Sequence, residues 1–156
     1  MIQNSRFRLR LCIALTVFNL IFIWGNSLLP ANISAAISTF VRNVIAFFLP
    51  GEGTADPNAG HGILRKIAHV LEFCSLGVLL CWLLTEIRKR RIFSLLGGLL
   101  AACIDETIQL FVPGRGPHIR DVFIDTLGVI AGFGVFTIFY LVYKKKKLIY
   151  LEDKQL

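Results

Sequence analysis

The sequence predicts an all-α membrane protein: four transmembrane helices, with an additional interfacial amphipathic helix after the first span. Three observations predict it. The 156 residues are 55% hydrophobic and 17% charged, with a mean hydropathy of +0.67, whereas soluble domains average about 45–50% apolar and about 25% charged. Four apolar stretches are long enough to cross a bilayer. The basic residues are distributed unevenly between alternate flanks of those stretches. Little chain remains outside them, so one unit over residues 1–156 is expected.

The first span covers residues 11–29. Its length, about 19 residues, suits about 30 Å of hydrocarbon. Arg6, Arg8 and Arg10 precede it, as they would a cleaved signal peptide. A signal core is shorter, about 7–15 residues, and Trp24-Gly25-Asn26-Ser27 is a poor cleavage site. A retained span is expected.

Residues 31–49 are mixed in character. Ile33, Ile37, Phe40, Val41, Val44 and Phe48 recur at helical spacing, with Asn32, Ser34, Ser38, Thr39, Arg42 and Asn43 between them. One apolar face on an otherwise polar helix predicts a helix lying on the membrane or capping the bundle, in preference to a fifth span. Residues 50–60 are rich in Gly and Pro and predict an exposed loop. The remaining spans are expected at 63–84, 92–112 and 122–142, followed by a tail at 143–156. Their short connections make neighbours antiparallel.

Orientation follows from Lys and Arg. Arg6, Arg8, Arg10, Arg88, Lys89, Arg90, Arg91, Lys144, Lys145, Lys146, Lys147 and Lys154 fall on one side, and only Arg42, Arg65, Lys66, Arg115 and Arg120 on the other. The positive-inside rule puts both termini and the tail in the cytoplasm. Trp24, Trp82, Tyr140 and Tyr143 lie near span ends, where an interfacial aromatic belt would sit. Cys12, Cys74, Cys81 and Cys103 lie inside apolar stretches without a CxxC, and read as small buried residues.

This topology gives the ionisable residues a common depth. Lys66, His69 and Glu72 open the second span, Asp105, Glu106 and Gln109 close the third, and Asp121 and Asp125 open the fourth. Asn26 and Ser27 close the first. Ionisable groups inside a membrane are costly and usually face a protein interior or a water-filled cavity. His69 and Glu72, three apart, share a helix face. Gly98, Ala102, Asp105 and Gln109 form one stripe, and Asp121, Asp125, Gly128 and Gly132 another. Small residues let helices approach closely in lipid. A bundle tight at its cytoplasmic end and polar towards the outside is therefore expected. Polar residues between membrane helices also serve as structural hydrogen-bonding partners, and Glu106 lies at the edge of its stripe, within reach of a pairing with Arg115. His61 and His118 read as ordinary loop histidines.

These motifs resemble the VanZ-like family: Lys66-x-x-His69-x-x-Glu72-Phe73-x-x-Leu76-Gly77, then Asp105-Glu106-x-x-Gln109-x-Phe111-x-Pro113-Gly114-Arg115, then Asp121-x-x-x-Asp125-x-x-Gly128-x-x-x-Gly132. The resemblance covers roughly residues 64–135, in order and spacing. Phe73 stands where the family often has Tyr, and Asp125 where it often has Asn. The resemblance implies a small multi-pass protein of the bacterial cytoplasmic membrane. The family's namesake is associated with low-level resistance to teicoplanin, and no settled reaction comes with the name.

The first functional reading is a non-enzymatic envelope protein. It would bind an anionic lipid, a cell-wall precursor or a glycopeptide antibiotic at the outer leaflet. Arg65, Lys66, Arg115 and Arg120 would contact phosphate or carboxylate, and Gln109, Glu106 and Asp125 would support the site. The second is a membrane enzyme on a lipid-linked phosphate or acyl substrate. His69 would be its acid or base, with Glu72, Asp105 and Asp121 as catalytic carboxylates or ligands for Mg²⁺ or Ca²⁺. An ion carrier ranks last for a single copy of the chain, a ranking that a homo-oligomer would reopen. The chain has neither a Gly-rich phosphate loop nor an HExxH motif, and the basic turn at 88–91 reads as a topology signal, so nucleic acid is not an expected partner.

Overall fold

The computed structural model describes residues 2–48, 61–116 and 118–154; the expected loop at 50–60 lies outside the described residues. Among the described residues, all regular structure is helical. It comprises α1 (Ile2–Ser27), α2 (Ala31–Phe48), α3 (His61–Glu86), α4 (Phe93–Gln109) and α5 (Ile119–Glu152). Three segments are long and apolar enough to cross a membrane: Ser5–Ser27, Leu64–Glu86 and Ile119–Glu152.

The expected third span at 92–112 is where structure and sequence differ most. Its helix has 17 residues, or about 26 Å at 1.5 Å per residue, somewhat less than the hydrocarbon thickness. The helix ends before its apolar stretch does. Leu110 to Val112 enter a turn, and Gly114 takes φ 76°, a left-handed conformation that Gly adopts without a Cβ penalty. At the other extreme, α5 continues ten residues past the expected span end at 142. Lys144 to Lys147 are good helix formers and no Gly or Pro interrupts them.

Pro30 separates α1 from α2, as the restricted backbone before a proline favours. The Ala31 amide donates to the Pro113 carbonyl at 3.5 Å and ties the start of α2 to the turn after α4. The apolar positions Ile33, Ile37, Phe40, Val41 and Val44 of α2 are exposed, whereas Ser34 and Ser38 are half-buried against the bundle.

Helix α3 lies centrally. It packs most extensively on α5, and also meets α1, α4 and α2. The core contains Ile23, Phe73, Leu76, Ala101, Ala102 and Val129. Large apolar side chains such as Phe18, Ile21, Leu100, Phe123 and Phe139 are turned outward. An inward face of small and polar residues with an outward apolar face is the arrangement suited to lipid.

The α3–α5 contact depends on missing side chains. A Cβ on Gly128 would stand 2.6 Å from the Val70 carbonyl oxygen, and one on Gly132 would meet the Cys74 carbonyl. Backbone lines both contacts, so neither can yield by a rotamer change.

Two further expectations change. Cys12 and Cys81 are buried, but Cys103 is exposed on the outer face of α4, and all four cysteines are free thiols. The Trp24 indole does not simply face outward, since it packs on the core and donates to the Ala101 carbonyl at 3.4 Å.

Candidate functional site

The antiparallel helices bring four polar termini together: the end of α1, the start of α3, the end of α4 and the start of α5. Asp105 is fully buried there. Its Oδ2 accepts from Ser27 Oγ at 2.7 Å and from Gln109 Nε2 at 2.8 Å. Gln109 lies one turn beyond Asp105 on α4, so helical spacing supplies one donor and α1 the other.

Glu72, half-buried on α3, accepts from Asn26 Nδ2 at 2.8 Å. His69, one turn earlier, holds Nδ1 3.8 Å from Oδ1 of the buried Asp125 on α5. One ligand-type atom from each of His69, Asp105 and Asp125 lies within 4.8 Å of the others. Glu72 and Asp121 are outside this trio. Several buried atoms here have no hydrogen-bond partner among the described residues: His69 Nδ1, Glu72 Oε2, Asp105 Oδ1, Glu106 Oε1 and Asp125 Oδ2. Unpartnered buried polar atoms are uncommon and call for an explanation.

Glu106 is also buried, and its Oε2 accepts from the backbone amide of His118 at 2.8 Å. That bond secures the loop leading into α5. The His118 side chain itself is exposed. Arg115 donates through Nη2 to the Asn26 carbonyl at 3.3 Å, while Nε and Nη1 are buried without partners. Burial first, then the charge of Arg65, pushes the Arg115 guanidinium below its ordinary range, and Asp105 and Glu106 pull it back up.

Two cavities meet at His69. The larger, about 500 Å³, lies between α1, α2 and α3. Phe22, Leu29, Ile37, Val41, Leu64 and Leu71 supply much of its apolar wall. Asn26, Arg65, His69, Glu72 and Arg115 form its polar part. The smaller, about 10 Å³, is bounded by Arg65, Lys66, His69, Gln109, Asp121, Ile124 and Asp125. That volume is on the scale of a single water molecule. Lys66 is exposed on its rim and Asp121 is half-buried.

His69, Glu72, Asp105, Gln109, Arg115 and Asp121, with Lys66, Glu106 and Asp125, therefore stand at one end of the bundle. Their partners were harder to foresee. Asn26 and Ser27 read as span-end residues, and nothing local links Ser27 to Asp105, 78 positions away. Asn19, donating to Ser75 at 2.8 Å, extends the polar contacts deeper between α1 and α3. Its signal was an amide inside an apolar stretch.

The opposite end is closed by different contacts. Arg8 forms an ion pair with Glu86, which also accepts from Trp82 Nε1 at 3.1 Å. The Arg91 guanidinium lies 4.3 Å from the Tyr140 ring centroid.

The sequence model of the VanZ/LLP1 family matches residues 3–140, nearly the whole helical bundle. No curated protein and no solved structure matches the chain.

Proposed function

The chain belongs to the VanZ/LLP1 family, and on that footing we propose that it binds an anionic amphiphile from the outer leaflet of the bacterial cytoplasmic membrane. The ligand class is a membrane lipid, a lipid-linked cell-wall precursor or a glycopeptide antibiotic. In this reading both termini are cytoplasmic, α4 is a short fourth crossing and α2 lies along the outer interface. The apolar outer face of α4, with Leu96, Leu99, Leu100 and Ile104 exposed, supports that placement.

The observation that carries the proposal is the cavity of about 500 Å³ between α1, α2 and α3. Its size falls within the range of about 300–1,000 Å³ usual for ligand sites. Its wall suits a hydrocarbon chain. Arg65 and Arg115 repel each other there, so a phosphate or carboxylate between them would relieve that repulsion as well as accept hydrogen bonds.

Purification of the full chain in mild detergent, with mass spectrometry of retained lipid, tests this. The expected result is a phosphate- or carboxylate-bearing lipid that is lost from an Arg65→Ala, Arg115→Ala double variant and kept by Arg90→Ala. Retention of neutral or zwitterionic lipid alone, unaffected by the double substitution, would reject the reading. The alternative is an enzyme on a lipid-linked phosphate or acyl substrate, for which His69 beside Asp125 is the supporting feature. Turnover of the retained lipid by purified protein would favour it.

A further inference from the structure

We propose that His69, Asp105 and Asp125 bind one first-row divalent cation, Zn²⁺ or Mn²⁺. This goes beyond the lipid reading and does not depend on it. The three residues come from α3, α4 and α5, so the ion would join three helices.

Geometry is the first support. One donor atom from each residue lies within 4.8 Å of the others. Donors around a tetrahedral ion with bonds of about 2.1 Å stand about 3.4 Å apart. The 3.8 Å between His69 Nδ1 and Asp125 Oδ1 is a few tenths of an ångström wider, and the other separations lie within 4.8 Å, so side-chain rotations would have to draw the three donors together around the ion.

The second support is independent of the clustering. Asp105 and Asp125 are 0% and 1% exposed, and each keeps one buried oxygen, Oδ1 and Oδ2 respectively, without a hydrogen-bond partner. His69 Nδ1 is unpartnered as well. Ser27 and Gln109 both donate to the other oxygen of Asp105. They orient this carboxylate and leave Oδ1 free, as residues surrounding a metal ligand commonly do.

Charge is the third. Glu72, Asp105, Glu106, Asp121 and Asp125 are buried or half-buried at this end, against the half-buried guanidiniums of Arg65 and Arg115. Lys66 and Arg120 are exposed at the edge. Excess negative charge at this depth is costly without a counter-charge. A divalent cation supplies one.

The donor set selects the ion. Carboxylates suit Mg²⁺, Ca²⁺ and Mn²⁺, whereas imidazole suits Zn²⁺, so a set of one imidazole and two carboxylates fits Zn²⁺ through its nitrogen and Mn²⁺ through its oxygens. Three protein donors leave a coordination position for water or a ligand oxygen. His69 borders both cavities, so such a position would adjoin the larger one.

The test uses the full chain, tag removed, equilibrated in detergent with equal concentrations of Mg²⁺, Ca²⁺, Mn²⁺ and Zn²⁺, desalted and assayed for metal. About one Zn²⁺ or Mn²⁺ per chain is expected, with at least a tenfold loss of occupancy in Asp125→Asn and His69→Gln. Wild-type protein holding less than a tenth of an equivalent of either ion overturns the proposal, as does full retention by both variants. Should the variants fail to fold, His61→Gln, His118→Gln protein keeps His69 as the sole histidine of the three in the sequence. Loaded with Mn²⁺, it is expected to show electron–nuclear coupling to an imidazole nitrogen. Absence of that coupling in protein that retains about one Mn²⁺ overturns the site, as does failure of this protein to retain either Mn²⁺ or Zn²⁺. None of these readings involves lipid, so they stand or fall apart from the proposed function.

Discussion

Ser27 on α1 and Asp105 on α4 are joined by a 2.7 Å hydrogen bond in which the serine hydroxyl donates to Oδ2. Both residues are fully buried. The bond fixes the end of α1 against the end of α4 and sets which carboxylate oxygen of Asp105 remains free. Ser27→Ala would leave Gln109 as the only donor described for Oδ2. Hydrogen bonds to charged groups contribute about 1.5–3 kcal/mol. The variant should therefore unfold more readily in detergent by roughly that amount, as measured by its denaturation midpoint. A midpoint within error of wild type would argue against this bond.

Gly132 and Gly134 make a matched pair on α5. A Cβ at Gly132 would collide with the Cys74 carbonyl, whereas one at Gly134 meets nothing within 4 Å. Gly132→Ala should destabilise by about 1–3 kcal/mol, the range for overpacking. Gly134→Ala should be neutral or stabilising by up to about 1 kcal/mol, since Ala is the better helix former. Thermal unfolding of the two variants side by side checks the α3–α5 register. Equal effects would contradict it.

Arg8 pairs with Glu86 through a side chain that is 58% exposed. Exposed ion pairs contribute about 0–1 kcal/mol and weaken with salt. Arg8→Ala should therefore change stability by less than about 1 kcal/mol, with a smaller difference at high ionic strength. A loss of several kcal/mol, persisting in salt, would mean that Arg8 has a larger role than this pair.

Glu72 lines the larger cavity and accepts from Asn26, whereas Asp105 lines neither cavity and accepts from Ser27. Glu72→Ala frees the Asn26 amide at the polar end of the cavity and is expected to lower retention of the anionic lipid several-fold while expression stays near normal. Retention at wild-type levels, from a variant made in normal amounts, would remove Glu72 from the ligand site.

Much of the site could be read along the chain. Ionisable residues in apolar stretches stand out, and the spacing of Asp105 with Gln109 or His69 with Glu72 assigns each pair to one helix face. Pairings between helices were not legible in this way. Glu106 shows the difference. Its position suggested Arg115 as its partner, but its described hydrogen bond is with the His118 amide. A backbone donor carries no residue-type signal in the sequence.

The sequence by itself determined the helical class, the apolar stretches and the gathering of polar residues towards one end. Those features follow from composition and from a period of 3.6 residues, both local properties. Tertiary structure decided that α4 stops at Gln109, that Ser34 and Ser38 of α2 line the cavity facing the bundle alongside Ile37 and Val41, and that His69 meets Asp125. These outcomes depend on how far each helix is rotated and slid against its neighbours. Close packing of α5 glycines on the α3 backbone helps set that rotation and sliding, and the fit involves residues more than fifty positions apart.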